Sequence, residues 1–502
     1  MASTGKRNSH SEKGGGNPVM TTAAVIPPVD NVQYSIHSTA SKRTLVFSSS
    51  LAGVLSLLAS QVYFPALTPI ARDLHVSDTL VNLSISIYIV MEGLTPAFSA
   101  QISDTCGRRP VYIVCLVIFL GSNIGLAIQN SYTALLVLRL VQAAGSSGAQ
   151  SLGNAVAADV APPAERGAYV SYAAGLPMLA SAIGPVIGGL MAEFAGWHSI
   201  FWLLAALGGA TLLYMALFFP ETCRKIVGNG SVPPQRWNRC WTNVWLERRR
   251  EGAGDLRQGE GEEIKPPTFK FPNPLRPVLL LLKPECGFAL LYSSILACSF
   301  YATLALIPTQ FGQIYSFDEL KVSLCYLPYG VGALVAALSR GYFIDANFRR
   351  HATALGITVD KNKTDLTDFP IERARIEVAV PTIGLTTALT IAFGWMLHAG
   401  VHVAGPLIIL FALGFCASAS LNCIQALMLD INPGRAGTVL ASNSLLRCLL
   451  GAGATAAAVP LITAVGIGWA LTVFGGLNAL FAPMLWYIMR KGPEWRKRSK
   501  RL

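Results

Sequence analysis

Charge is scarce in this chain. Of 502 residues only 13% are Asp, Glu, Lys or Arg, where a soluble domain carries about 25%. Such a sequence cannot cover a large water-facing surface. Cysteine pairing is also missing: the ten cysteines are scattered and no Cys-x-x-Cys occurs, so neither a disulfide framework nor a thiolate metal site is expected. No Gly-x-x-x-x-Gly-Lys-Ser/Thr loop is present, which excludes the usual ATP-binding engine. Neither His-Glu-x-x-His nor Gly-x-Ser-x-Gly occurs, which removes the common zinc-protease and serine-hydrolase signatures. No enzymatic activity, cofactor or metal is expected. What the chain has in excess is apolar sequence, 52% hydrophobic with a mean hydropathy of +0.47.

The apolar residues fall in twelve runs, each near the ~20 residues that cross a bilayer as a helix. The first six are Thr44–Leu67, Ser77–Ala100, Pro110–Gln129, Tyr132–Ala157, Ala168–Glu193 and Trp197–Phe219. The second six are Gly287–Thr309, Leu320–Phe343, Val378–His398, Ala404–Leu427, Ala436–Thr463 and Gly466–Met489. The expected fold is an all-α integral membrane protein of twelve transmembrane helices in two six-helix halves.

Threading the spans with the N-terminus inside leaves nearly all 39 Lys and Arg residues on the cytoplasmic side. The exceptions are Arg72 and Lys321 outside, and Arg139 and Arg447 within spans. This is the positive-inside pattern. The excess of 39 basic over 27 acidic residues therefore reports topology, and nucleic acid is not an expected partner. The domain expectation is a disordered cytoplasmic tail over 1–43, a first half over 44–220, a linker over 221–286, a second half over 287–490 and a basic cytoplasmic tail over 491–502. The linker contains Arg248-Arg249-Arg250. No cleavable signal peptide is expected, because the first apolar run is long and starts late.

Two echoes relate the halves. Between the second and third runs stands Asp104-Thr105-Cys106-Gly107-Arg108-Arg109. Between the eighth and ninth runs stands a copy from Gly341 through Asp345 to Arg349-Arg350, in which Phe348 replaces the inner glycine. The fourth run ends Asp159-Val160-Ala161-Pro162 and the tenth ends Asp430-Ile431-Asn432-Pro433. Two echoes in one frame imply an internal duplication, an arrangement known in transporters, with the site near the midplane between the repeats.

Buried polar residues mark candidate sites. An arginine inside a span costs roughly 2.5–3.5 kcal/mol on insertion scales, so Arg139 must face a partner or cavity. Arg139, Gln142, Ser146, Gln150 and Asn154 share one helical face. Glu92 is the one carboxylate placed deep in a span. Burial would allow it to exchange protons near neutrality. It is placed ~10 Å deeper than Arg139 by helical rise, too far for a direct pair. Asn443 and Arg447 share a face of the eleventh run. Weaker polar stripes are Ser56, Ser60 and Tyr63 on the first run, Ser294, Cys298 and Tyr301 on the seventh, and Ser418, Asn422 and Gln425 on the tenth.

Several of these strings resemble the major facilitator superfamily, in particular its fungal twelve-spanner drug:proton antiporter branch. Asp104, Gly107, Arg108 and Arg109 match the loop Gly-x-x-x-Asp-x-x-Gly-Arg-Arg/Lys, with Ala100 replacing its first glycine. Arg139 and Gln142 match Arg-x-x-Gln-Gly, with Ala143 in place of the glycine. Gly184, Pro185, Gly188 and Gly189 match the antiporter motif. Gly196-Trp197-His198-Ser199-Ile200-Phe201-Trp202 and Pro220-Glu221-Thr222-Cys223-Arg224 also resemble family strings, the first expected to supply an interfacial aromatic anchor and the second a helix stop. The resemblance implies proton-coupled efflux of small organic molecules by alternating access, driven by the proton gradient. It implies a latch at Asp104, Gly107, Arg108, Arg109, Gly341 and Asp345. Proton-coupling candidates are Glu92, Arg139 and Asp104, and cavity candidates are Gln142, Ser146, Tyr301, Asn422, Gln425, Asn443 and Arg447. Partners would be the lipid bilayer, a small-molecule substrate and protons, with the protein a monomer in the plasma membrane and both termini cytoplasmic. The alternatives are an organic-acid or polyamine transporter of the same fold, or a membrane nutrient sensor.

Overall fold

The computed structural model describes residues 35, 38–161, 166–230, 232, 234–235, 238–241, 275–354, 370–432 and 436–499. The triple arginine 248–250, most of the N-terminal tail, residues 500–502 and most of the linker lie outside the described residues. Twelve long helices form the body. The first half holds α1 (Thr39–Gln61), α2 (Asp78–Cys106), α3 (Arg108–Ile128), α4 (Tyr132–Val160), α5 (Arg166–Ala195) and α6 (His198–Phe218). The second holds α7 (Pro284–Tyr315), α8 (Leu327–Ala354), α9 (Ile371–His398), α10 (Ala404–Ile431), α11 (Ala436–Val465) and α12 (Ile467–Phe481), which continues after Ala482 as Pro483–Ser499.

Among the described residues, eleven of the twelve are long and apolar enough to cross a membrane. The exception is α4, diluted by Arg139, Gln142, Gln150 and Asn154. It packs against α1, α2 and α3, so protein rather than lipid surrounds its polar face. Pro65 ends regular helix after α1: Phe64–Ala66 is a 3-10 turn, followed by the short helix Leu67–Asp73.

The duplication is visible in the packing. In the first half α1 meets α4 and α5, α2 meets α4, and α3 meets α4 and α6. Adding six to each number gives contacts the second half makes: α7 with α10 and α11, α8 with α10, and α9 with α10 and α12. The halves join along two seams, α2 with α11 and α5 with α8. A shift of six exchanges these two seams, as a two-fold relation requires.

Small residues make both seams close. A Cβ on Gly93 of α2 would stand 2.6 Å from Cys448 Cβ and 3.2 Å from the Ser444 carbonyl oxygen, both on α11. A Cβ on Gly330 of α8 would stand 2.6 Å from Ala182 Cα on α5. Backbones can approach this closely only where a side chain is missing.

The two copies of the charged loop fold differently. At the first, α2 stops at Cys106, and Gly107 takes φ +104, a conformation open chiefly to glycine. The second copy has Phe348 there, and α8 runs unbroken to Ala354. The helix therefore continues beyond the expected span end at Phe343, for want of a residue that can stop it. Arg349 and Arg350 are exposed on that extension. The second-half counterpart of Arg108 is instead Arg375 near the start of α9, which donates to Asp430 at 2.9 Å as Arg108 donates to Asp159 at 2.9 Å. The Asp159 and Asp430 echo thus marks two equivalent ion pairs. Gly341 and Asp345 lie within α8, their side chains outside the described residues.

Candidate substrate and coupling site

At the basic end of the first half, Arg108 and Arg109 are buried rather than spread on the surface as simple topology markers. The Arg108 guanidinium bonds Asp104 at 2.6 Å, Asp159 at 2.9 Å and Ser103 Oγ at 2.5 Å. Arg109 donates to the Ala216 carbonyl at 2.6 Å. Asp104 therefore engages its own half in this conformation. Glu221 organises the loop. Its Oε1 accepts from the backbone N–H of Arg108, Thr222 and Cys223 at 2.8, 3.0 and 2.8 Å. Its Oε2 accepts from Arg109 N at 3.2 Å and Asn238 Nδ2 at 2.8 Å. The carboxylate thus caps the start of α3, where unpaired N–H groups and the helix dipole favour a negative charge. The sequence identified Glu221 only as part of a helix-closing string.

The antiporter motif is a packing surface with two clients. Cβ atoms on Gly184 and Gly188 would run into Gln61 and Val62 at the end of α1, and one on Gly189 into the Ser323 side chain. Ser323 belongs to the short helix Glu319–Leu324 that leads into α8, so Gly189 seats the other half. Nearby, the Phe64 and Tyr326 rings meet across the halves at 6.1 Å, and Arg72 reaches Glu319 at 4.0 Å. The end opposite the basic loops is held shut in this conformation. In the string expected to supply an interfacial aromatic anchor, Trp202 is exposed, whereas Trp197 is buried and donates to Asp73 at 2.8 Å. It ties α6 to the end of the segment that follows α1.

Between these ends lie the buried charges. The Arg139 guanidinium sits over Tyr63 at 4.0 Å and Tyr88 at 4.1 Å, a double cation–π contact. Its Nη1 donates to Gln142 Oε1 at 2.6 Å and the Ala59 carbonyl at 3.3 Å, and Gln142 passes the chain to Asn123 at 2.7 Å. Tyr88 meets Ser146 at 3.0 Å and Tyr63 meets Ser84 at 2.7 Å. Arg139 and Gln142 thus form a braced cluster joining α1, α2, α3 and α4. Tyr88 was missed because an aromatic in an apolar run leaves no polar stripe.

A second cluster spans the seam. Glu92 and Arg447 adjoin the Gly93–Cys448 contact in sequence, one on each half. Glu92 is buried, within electrostatic range of Arg447 and then Arg139. No ion pair within 4.0 Å joins Glu92 to either among the described residues. Tyr301 of α7 lies against Gly451 of α11 and within electrostatic range of Arg447. Asn443 accepts from Ser293 at 3.0 Å, joining α11 to α7. Asn422 is buried and Gln425 half-buried on α10. A cavity of only about 10 Å³, lined by Ser299, Thr303, Thr386 and Thr390, lies within the second half, off this cluster.

Twelve helices in two equivalent halves, with opposite charges facing across their seam, define a membrane carrier. The model of the Major Facilitator Superfamily matches residues 49–456. The chain belongs to that superfamily, whose members are transporters and not enzymes. It is 42% identical over 467 residues to the MFS-type transporter phiD of a fungal species, covering 93% of this chain and 71% of that one. It is 40% identical over 474 residues to the MFS-type transporter tstD of Talaromyces stipitatus, covering 94% and 85%. Citrate exporter 1 of Aspergillus niger is 31% identical over 503 residues, covering 99% and 94%. The human organic anion transporter MFSD10 shares the fold, with a TM-score of 0.54 at 19% identity, covering 89% of this chain and all of that one.

Proposed function

We propose that this transporter exports small organic molecules in exchange for protons by alternating access, from a plasma membrane in which the basic end faces the cytoplasm. The observation that carries this reading is Glu92: a buried carboxyl on the seam between the halves, with no hydrogen-bond donor among the described residues. Gaining or losing a proton there changes the attraction between α2 and α11, which belong to different halves. A ligand moves a two-state equilibrium only through such a difference between states. The held-shut end and the bonding of Asp104 within its own half support a cytoplasm-accessible form. In the opposite form the Asp104 loop would engage the second half. The excess of basic residues at the Asp104 end supports the orientation.

The test is Glu92→Gln in sealed vesicles under an imposed pH gradient. Gradient-driven flux is expected to fall to background, while downhill exchange of substrate persists and expression is unchanged. Wild-type acceleration by the gradient in this variant would remove Glu92 from the coupling.

A further inference from the structure

The cross-seam cluster also constrains the cargo, and here the reasoning rests on the transport reading above. Arg447 has donor capacity to spare: its Nε–H is buried and has no acceptor. Glu92 is buried and has no hydrogen-bond donor among the described residues. The two groups interact electrostatically across the seam and do not close to within ion-pair distance. An enclosed donor without an acceptor is costly, and an acceptor brought from outside the chain would satisfy the Arg447 Nε–H. The charge balance indicates its sign. The buried layer holds two guanidinium groups, Arg139 and Arg447, and one carboxyl group, Glu92. Arg139 is braced within its own half by two aromatic faces, Gln142 and a carbonyl, although its Nε–H is also buried without an acceptor. With Glu92 ionised, one positive charge is left over; Arg139 is engaged within the first half, whereas Arg447 stands on the helix that forms the seam.

We infer that Arg447 is an anion subsite contested by Glu92, and that the transported molecules carry one carboxylate-like group, a carboxylate or an ionised enol or phenol. A carboxylate takes two parallel N–H donors of a guanidinium, a fork that ammonium or neutral substrates cannot use, and an enolate or phenolate accepts from the same donors with its one oxygen. On binding it draws Arg447 away from Glu92 and releases the attraction that holds α2 to α11 beside Gly93. A proton on Glu92 releases the same attraction. The empty, ionised carrier is therefore the locked form. The anion frees it on the outward stroke and the proton on the return. Tyr301, lying against Gly451 and beside Arg447, provides an aromatic wall for the body of such a molecule.

The experiment measures equilibrium binding to the purified full-length chain, so it does not depend on flux. Three probes share one scaffold: a coumarin carboxylate, its methyl ester and a coumarin bearing a trimethylammonium group. The carboxylate should bind the wild type at least about tenfold more tightly than either other probe, the worth of one charge-assisted fork. Arg447→Gln should abolish that preference, and Glu92→Gln should tighten carboxylate binding about threefold to tenfold by removing the competitor. Equal or tighter binding of the ester or the cation overturns the inference. So does failure of the wild type to bind the carboxylate, or a preference that survives Arg447→Gln. Loss of pH-driven flux in Glu92→Gln alongside no carboxylate preference would leave the exchange reading standing and the anion subsite refuted.

Discussion

Gly93→Ala should cripple transport while leaving each half folded. The added Cβ would stand 2.6 Å from Cys448 Cβ, 3.2 Å from the Ser444 carbonyl oxygen and 3.4 Å from Leu445 Cα. Two of those three atoms are backbone or Cα and cannot rotate aside. Overpacking of this kind costs about 1–3 kcal/mol. Because α2 and α11 belong to different halves, the strain can be relieved by moving the halves apart, so the cost falls on the balance between conformations. A shift of that size changes populations by roughly 5- to 150-fold. Flux in vesicles should fall accordingly, and Gly93→Val should abolish it. Removing the opposing Cβ with Cys448→Gly should restore part of the flux to Gly93→Ala but not to Gly93→Val. Full activity of Gly93→Ala at normal expression would show that the seam opens in the rate-limiting step.

The seam was not legible in the sequence, and the reason is physical. Twelve spans, two halves and an inward-facing α4 follow from hydropathy, charge placement and the polar stripe on Arg139, Gln142 and Ser146, because each is a local property of one segment. Gly93 belongs to no motif, and its meaning depends on a residue of the other half more than three hundred positions away. Glu92 and Arg447 were each visible as buried charges, but their juxtaposition was not, since rise along a helix gives depth and says nothing of lateral neighbours. The second copy of the charged loop shows the opposite error. Sequence likeness suggested a second turn at Asp345, whereas the missing glycine let the helix continue and passed the role of Arg108 to Arg375. The antiporter motif was legible as a small-residue face, and only the packing distinguishes Gly184 and Gly188, which seat α1, from Gly189, which seats the opposite half.

The largest loss of stability should come from Glu221→Ala. One carboxylate accepts from the backbone N–H groups of Arg108, Arg109, Thr222 and Cys223 and from Asn238 Nδ2. Alanine leaves several of these donors buried without acceptors, at about 1–3 kcal/mol each where water cannot enter, and removes the negative charge at the start of α3. A total near 3–5 kcal/mol is expected, at the upper end for one substitution, seen as a large drop in thermal stability of the purified protein in detergent. Glu221→Gln retains one accepting oxygen and should lose less. Gly107 supplies an independent check. A Cβ there would meet the Glu221 side chain, with Cδ at 2.9 Å, and would also be forced to φ +104. Gly107→Ala should therefore destabilise the wild type through collision and strain, but the Glu221→Ala background through strain alone. The two substitutions together should cost less than the sum of their separate effects. Strict additivity would mean that the carboxylate moves aside freely, and that the cap on α3 is weaker than its five hydrogen bonds indicate.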